Sequence, residues 1–186
     1  PTLTVTYRGF VNGEDKEDLT GTLAIRRVTG ETVGTYDIEA SGLTATNYAI
    51  TYTAGVFTIT SKLITDTDIA VAPIADLVYN GFSQRPKPIV EDGSNTLKEG
   101  RDYTLSYEDN INVGSAAVLV RGIGNYSENR EFTFNIVPKY ISILIADQQK
   151  DYGSQDRVLI FTADSFLFGS DVFTGSLSRV SGEAVG

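Results

Sequence analysis

Arg27-Val28-Thr29-Gly30-Glu31-Thr32-Val33-Gly34 returns near the other end of the chain as Arg179-Val180-Ser181-Gly182-Glu183-Ala184-Val185-Gly186. Self-similarity at a regular spacing marks an array of small modules rather than one enzyme-sized core. The likeness extends upstream. Leu19-Thr20-Gly21-Thr22-Leu23 recurs as Phe173-Thr174-Gly175-Ser176-Leu177, and Val11-Asn12-Gly13-Glu14-Asp15 as Leu167-Phe168-Gly169-Ser170-Asp171. A more distant copy lies between them. Val33-Gly34, Asn47-Tyr48 and Phe57-Thr58-Ile59 are matched by Val113-Gly114, Asn125-Tyr126 and Phe134-Asn135-Ile136.

The step from Lys62 to Lys139, which close two matched tails, sets the repeat at 77 residues. Residues 1–61 then read as the back part of one β-module, 62–138 as a complete module, and 139–186 as the front part of another. Leu3-Thr4-Val5 aligns with Leu159-Ile160-Phe161, so the stretch Ile141–Ile145 has no counterpart ahead of Pro1. Both ends read as cuts through a longer array. Partial modules leave strand edges unpaired, and such edges recruit partners. Strand complementation between chains, tail to head, is therefore an expectation beside contacts with neighbouring modules of the same chain.

A module of this size buries a modest core and gains from its neighbours. The net charge of −9 argues against nucleic acid, which needs clustered Lys and Arg. The chain has no Cys, so it has neither disulfides nor thiolate chemistry. It carries no apolar run of about 18 residues, so nothing in this stretch spans a bilayer as a helix. No signal peptide is visible.

Period-2 alternation dominates the chain. It marks Leu3/Val5/Tyr7, Leu23/Ile25, Tyr36/Ile38/Ala40, Tyr48/Ile50/Tyr52 and Phe57/Ile59 in the first module. The middle module alternates at Ile69/Val71, Leu77/Tyr79, Tyr103/Leu105/Tyr107, Ala116/Val118/Val120 and Phe132/Phe134/Ile136, and the last opens with Ile141/Ile143/Ile145. Gly and Asn punctuate these runs, as in Asp92-Gly93 and Gly122-Ile123-Gly124-Asn125. The pattern predicts an all-β chain of tandem small modules of the Ig-like β-sandwich kind. The alternative is β-grasp-like flanking units with one short helical turn. That turn falls within Asn12–Leu19, with Asn12 as its cap. Pro86 and Pro88 suit an edge strand or an extended lead-in segment. Gly34 and Gly114 sit before strands where the backbone needs positive φ. Tyr48 and Tyr126 read as corner rings whose hydroxyls find backbone partners.

The first and last modules resemble the MBG-type (YGX/YDG) repeats of large bacterial cell-surface proteins. Tyr7-Arg8-Gly9-Phe10, Leu19–Leu23, Val33–Tyr36, Asn47-Tyr48 and Asp147–Gly153 carry the likeness. Ser165 departs from it, standing where the pattern has Gly before Phe166. The middle module is similar to Ig-like repeats of Gram-positive surface proteins through Leu97–Tyr107, Asn112-Val113-Gly114 and Gly122–Tyr126. The resemblance implies secretion to a bacterial cell surface and an adhesin-like stalk or spacer role.

Catalysis has little to work with. The chain has no His, which removes imidazole triads and imidazole-ligated metals. Adjacent carboxylates such as Glu91/Asp92 read as solvated charge, since a glycosidase pair needs a cleft and a fixed separation. The expectation is a protein that is not an enzyme and has no cofactor. Calcium is the one candidate metal, at Asp66 and Asp68, although these lack the Gly and distal Glu of an EF-hand loop. A Lys–Asn isopeptide staple needs a buried acid beside both, and one sequence does not single out that trio. The rival function is binding of host or dietary glycans, or of host proteins. With no Trp, Tyr79, Tyr103 and Tyr107 are the candidate ligand platforms. An exposed Tyr beside Asn and Asp in one groove favours that rival, whereas buried rings favour the stalk.

Overall fold

The computed structural model describes residues 1–184. The repeated octet's last two residues, Val185 and Gly186, lie outside them. Strands account for the regular structure, and the one helical element among the described residues is a 3-10 turn at Lys16–Asp18. In chain order the strands begin with β1 (Thr20–Arg27), β2 (Gly34–Thr44), β3 (Gly55–Ile59) and β4 (Lys62–Leu63). Next come β5 (Ile69–Val71), β6 (Leu77–Val78), β7 (Val90–Asp92), β8 (Asn95–Thr96) and β9 (Tyr103–Glu108). The remainder are β10 (Gly114–Gly122), β11 (Tyr126–Ser127), β12 (Asn129–Val137), β13 (Ile143–Ile145) and β14 (Phe161–Ala163).

Two compact units form. One comprises Pro1–Ala70, Val90–Leu105 and Val120–Arg130; the other comprises Val71–Ile89, Ser106–Leu119 and residues 131–184. The division passes through the stretch 62–138, so β5, β9, β10 and β12 each give residues to both. The strands group into sheets β1-β2-β3, β5-β7-β8, β6-β12-β10-β9, β11-β4 and β13-β14.

In the first unit, alternation in β1, β2 and β3 turns Leu23, Ile25, Tyr36, Ile38, Phe57 and Ile59 inward. The pairing is antiparallel, with Ile25 opposite Ala40 and Tyr36 opposite Phe57. The β1–β2 register slips between Gly21 and Ala24. Gly34 and Gly114 open β2 and β10 with φ of 154° and 142°, as the repeat implied. Ile64, Ile69, Val90, Leu97, Tyr103 and Val120 are this unit's buried apolar residues. In the second unit Ala116, Val118, Phe134 and Ile136 are buried, set every second residue along β10 and β12. Here β12 runs parallel to β6, and β13 pairs antiparallel with β14.

The alternating stretch Leu3–Tyr7 is not a strand, nor is Tyr48–Tyr52. A strand is defined by its partner, and alternation alone does not supply one. The aligned copy of Leu3-Thr4-Val5 leads into β14, which has β13 to pair with. Around Tyr52 the phenol replaces a ladder. Its oxygen accepts from Leu43 N at 2.8 Å and its hydroxyl faces Leu43 O at 3.2 Å. Phe173–Leu177 is likewise irregular although its copy forms β1, because no described residue pairs with it as β2 does with β1. The helical turn falls inside the expected window, but its cap is Asp15, not Asn12. Asp15 Oδ1 accepts from Glu17 N at 2.8 Å, and Asp18 Oδ2 accepts from Asp15 N at 2.8 Å, a reciprocal box. Asn12 instead takes a left-handed φ of 56°. Pro86 and Pro88 lie outside any strand.

Candidate functional site

The repeated Asn-Tyr corners do the same job in both copies, and it is not the expected one. Tyr48 OH donates to Glu14 Oε2, and Tyr126 OH donates to Asp92 Oδ2 at 3.0 Å. Acid and phenol are 34 residues apart in both cases. The hydroxyls were expected to meet the backbone; their chief partner is a carboxylate. Only Tyr48 adds a main-chain contact, accepting from Val11 N at 3.3 Å while its ring meets Phe10 edge-on. Hydrogen bonding to Glu14 raises the Tyr48 phenol. Burial, then Asp92, raises Tyr126. A charge-assisted bond of this kind closes the module across a long loop.

The described residues of the two octets also make like contacts. In each, the arginine reaches over its own loop to the glutamate four residues on and to the glycine carbonyl between them: Arg27 to Glu31 and Gly30, Arg179 to Glu183 and Gly182. The surroundings differ. Arg27 sits over the rings of Tyr36 and Phe57 at 5.2 and 4.9 Å. Arg179 instead pairs with Asp156 at 2.7 Å, while Lys150 bridges Asp156 and Glu183 at 2.7 and 2.8 Å. The two cations, Arg179 foremost, hold the Asp156 carboxyl down at about 2. This alternating cluster ties the loop Lys150–Asp156 to the repeated octet.

Of the candidate calcium ligands, Asp66 Oδ1 lies 3.4 Å from both Asp68 N and Thr67 Oγ1, the geometry of a local turn. Asp68 Oδ2 is 3.5 Å from Lys62 Nζ, which makes a shorter bond to Asp92 at 2.6 Å. No group of three or more metal-ligating side chains occurs among the described residues.

The three tyrosines do not share one surface. Tyr103 is 5 % exposed and belongs to the core. Tyr107 is half-buried and donates to Pro86 O at 2.8 Å. Tyr79 alone lines a groove, of about 380 Å³, together with Asn112, Lys139, Phe166, Phe168 and Asp171. Its hydroxyl donates to Asp171 Oδ2 at 3.1 Å and its ring meets Phe168 edge-on at 6.1 Å. Burial, then Asp171, raises its phenol. Lys139 Nζ donates to Ser165 Oγ at 2.7 Å and sits 4.6 Å from the Phe168 ring. The departure at Ser165 therefore supplies a hydroxyl that glycine lacks. Of the rings that line this groove Phe166 is the open one, 90 % exposed, while the exposed Tyr140 and Tyr152, at 96 % and 77 %, do not line it.

Asp102, which the sequence reading passed over, is the buried charge of the first unit at 5 % exposure. It takes Arg101 Nε at 3.0 Å and Nη2 at 2.6 Å, and accepts from Lys98 N at 2.8 Å. Its own carbonyl accepts from Ile123 N. The only hint was its place just ahead of β9, after the positive-φ Gly100. Arg101, then the Lys98 amide, holds this carboxyl below its ordinary range, and Lys62 does the same for Asp92. An acid with a depressed folded value stabilises fully above its unfolded value near ~4, and that stability disappears as pH falls through the folded value. The thermal midpoint should hold from pH 8 to 5 and drop below pH 4. Asp102→Asn should lower it at pH 7 and flatten the acid limb; an acid limb as steep as before would contradict this.

An all-β repeat protein is thus defined by its sheets and its recurring ties. Residues 1–58 match the family model of the MBG domain (YGX type). No curated protein and no solved structure matches the chain. No helix among the described residues is long and apolar enough to cross a membrane.

Proposed function

We propose that these modules are spacer, or stalk, repeats of a secreted bacterial cell-surface protein of adhesin-like type, without catalytic activity and without a bound metal or cofactor. The observation that carries this reading is the recurrence of internal ties between repeats, the tyrosine–carboxylate pair in the first and middle modules and the arginine-fastened loop in the first and last. Their polar groups are spent on holding the modules together. An array conserved in its fastenings but not in any cleft is what a spacer requires. The family match over residues 1–58 supports the surface location. Antibodies against this chain should label intact cells of the source organism, and externally added protease should remove the signal. Labelling only after permeabilisation would overturn the surface reading.

Glycan binding is the second reading, favoured by one observation. Phe166 presents an open ring on the groove that also holds Asn112 and Asp171. An aromatic face beside amide and carboxylate is the chemistry that receives a sugar ring. Glycan arrays probed with the whole chain decide between the readings. The spacer predicts no selective signal, whereas the lectin-like reading predicts one that Phe166→Ala and Asp171→Ala each abolish.

A further inference from the structure

The first and middle modules meet at Ser61–Ile64, inside the first compact unit. Inter-module linkers are ordinarily polar, solvated and free to bend. This one is paired along its length. Lys62 N donates to Asn125 O at 2.9 Å and Ile64 N to Ser127 O at 2.8 Å, so β4 lies parallel to β11. Ser61 Oγ lies 2.8 Å from Ser127 Oγ. Lys62 Nζ reaches Asp92, whose other oxygen holds Tyr126. Ile64 is fully buried, an apolar anchor directly behind the linker.

Asn125 works on both sides of this joint. Its backbone carbonyl holds the linker at Lys62 N. Its side-chain Oδ1 accepts from Val33 N at 2.9 Å, in the arginine-fastened loop of the preceding module. The two bonds reach residues 29 positions apart, the loop before β2 and the linker after β3. A bend at Ser61–Leu63 would have to break the β4–β11 pairing, the Asn125–Val33 bond and the Lys62–Asp92 ion pair together, because they share residues.

We infer that Ser61–Ile64 is a stiff joint rather than a hinge, and that Asn125 is the positioning residue that clamps the preceding module's loop to it. The consequence is mechanical: the β1-β2-β3 sheet moves with residues 62–70 and 120–130 as one body. This stands apart from the spacer proposal, since stiffness is measured on the isolated chain and surface exposure on cells.

Amide hydrogen exchange and 15N relaxation on the whole chain test it. In the unaltered chain the amides of Val33, Lys62 and Ile64 should exchange on the order of 100-fold more slowly than in an unstructured peptide. Strands β1 to β3 should share one rotational correlation time with β11. Asn125→Ala should speed exchange at Val33 by about tenfold or more while leaving Tyr36 in β2 unchanged. Asn125→Asp keeps the acceptor and should restore protection. Lys62 and Ile64 exchanging at free-peptide rates in the unaltered chain, or separate correlation times for β2 and β11, would overturn the inference. Unchanged Val33 protection in Asn125→Ala would remove Asn125 from it. Should Asn125→Ala fail to fold, the unaltered chain and Asn125→Asp still decide the matter.

Discussion

Gly21→Ala is expected to unfold the first module's sheet, while the equivalent Gly175→Ala changes little. The two glycines occupy the same place in the repeated Thr-Gly-Thr/Ser phrase. Gly21 has a φ of 91° and faces Gly42, with a φ of 95°, across the slipped register of β1 and β2. A Cβ at Gly21 would press into the carbonyl oxygen of Gly42, and one at Gly42 into that of Thr22. These are backbone atoms, which cannot swing aside. Left-handed strain and overpacking together should cost roughly 2–4 kcal/mol. At Gly175 the φ is 113° and nothing lies within 4 Å of the added carbon, so only the backbone term, about 1 kcal/mol, remains. Urea titrations followed by the β1–β3 amide signals compare the two. Equal losses would mean the partner strand does not create the difference.

The second large effect belongs to Ile136→Ala. Ile136 is 1 % exposed in β12, opposite Leu77 of the parallel strand β6. Removing its outer carbons leaves a cavity that a sheet interior closes poorly, for a loss of about 2–5 kcal/mol. Leu144→Ala in β13 is the control. That side chain is 69 % exposed, and its truncation should stay within about 0.5 kcal/mol. Chemical denaturation of both variants measures the contrast, and comparable losses would refute the assignment of Ile136 to the core.

Much of this fold was legible in the order of residues. The alternation at Ala116/Val118/Val120 and Phe134/Ile136 marked what became buried faces of β10 and β12. The matched octets predicted alike loops, and the arginine, glycine and glutamate of both make the same contacts. Candidate sites were less legible. Tyr79, Tyr103 and Tyr107 look equivalent along the chain, yet one lines a groove, one is core and one caps the carbonyl of Pro86. Beyond its place just ahead of an alternating run, nothing in the sequence set Asp102 apart from the exposed acids, because burial is a property of what packs around a residue.

From its residues alone this chain is bound to be a β-rich repeat without imidazole or thiol chemistry, since period, punctuation and composition are local properties. Only the folded arrangement chose which alternating stretches became strands, which acid each tyrosine met, and that Asn125 would hold two modules at once. Those outcomes depend on backbone donors and acceptors finding partners tens of residues away. Leu19–Leu23 and Phe173–Leu177 make the point with nearly the same letters: the first carries β1 beside β2, and the second, with no such neighbour among the described residues, stays irregular.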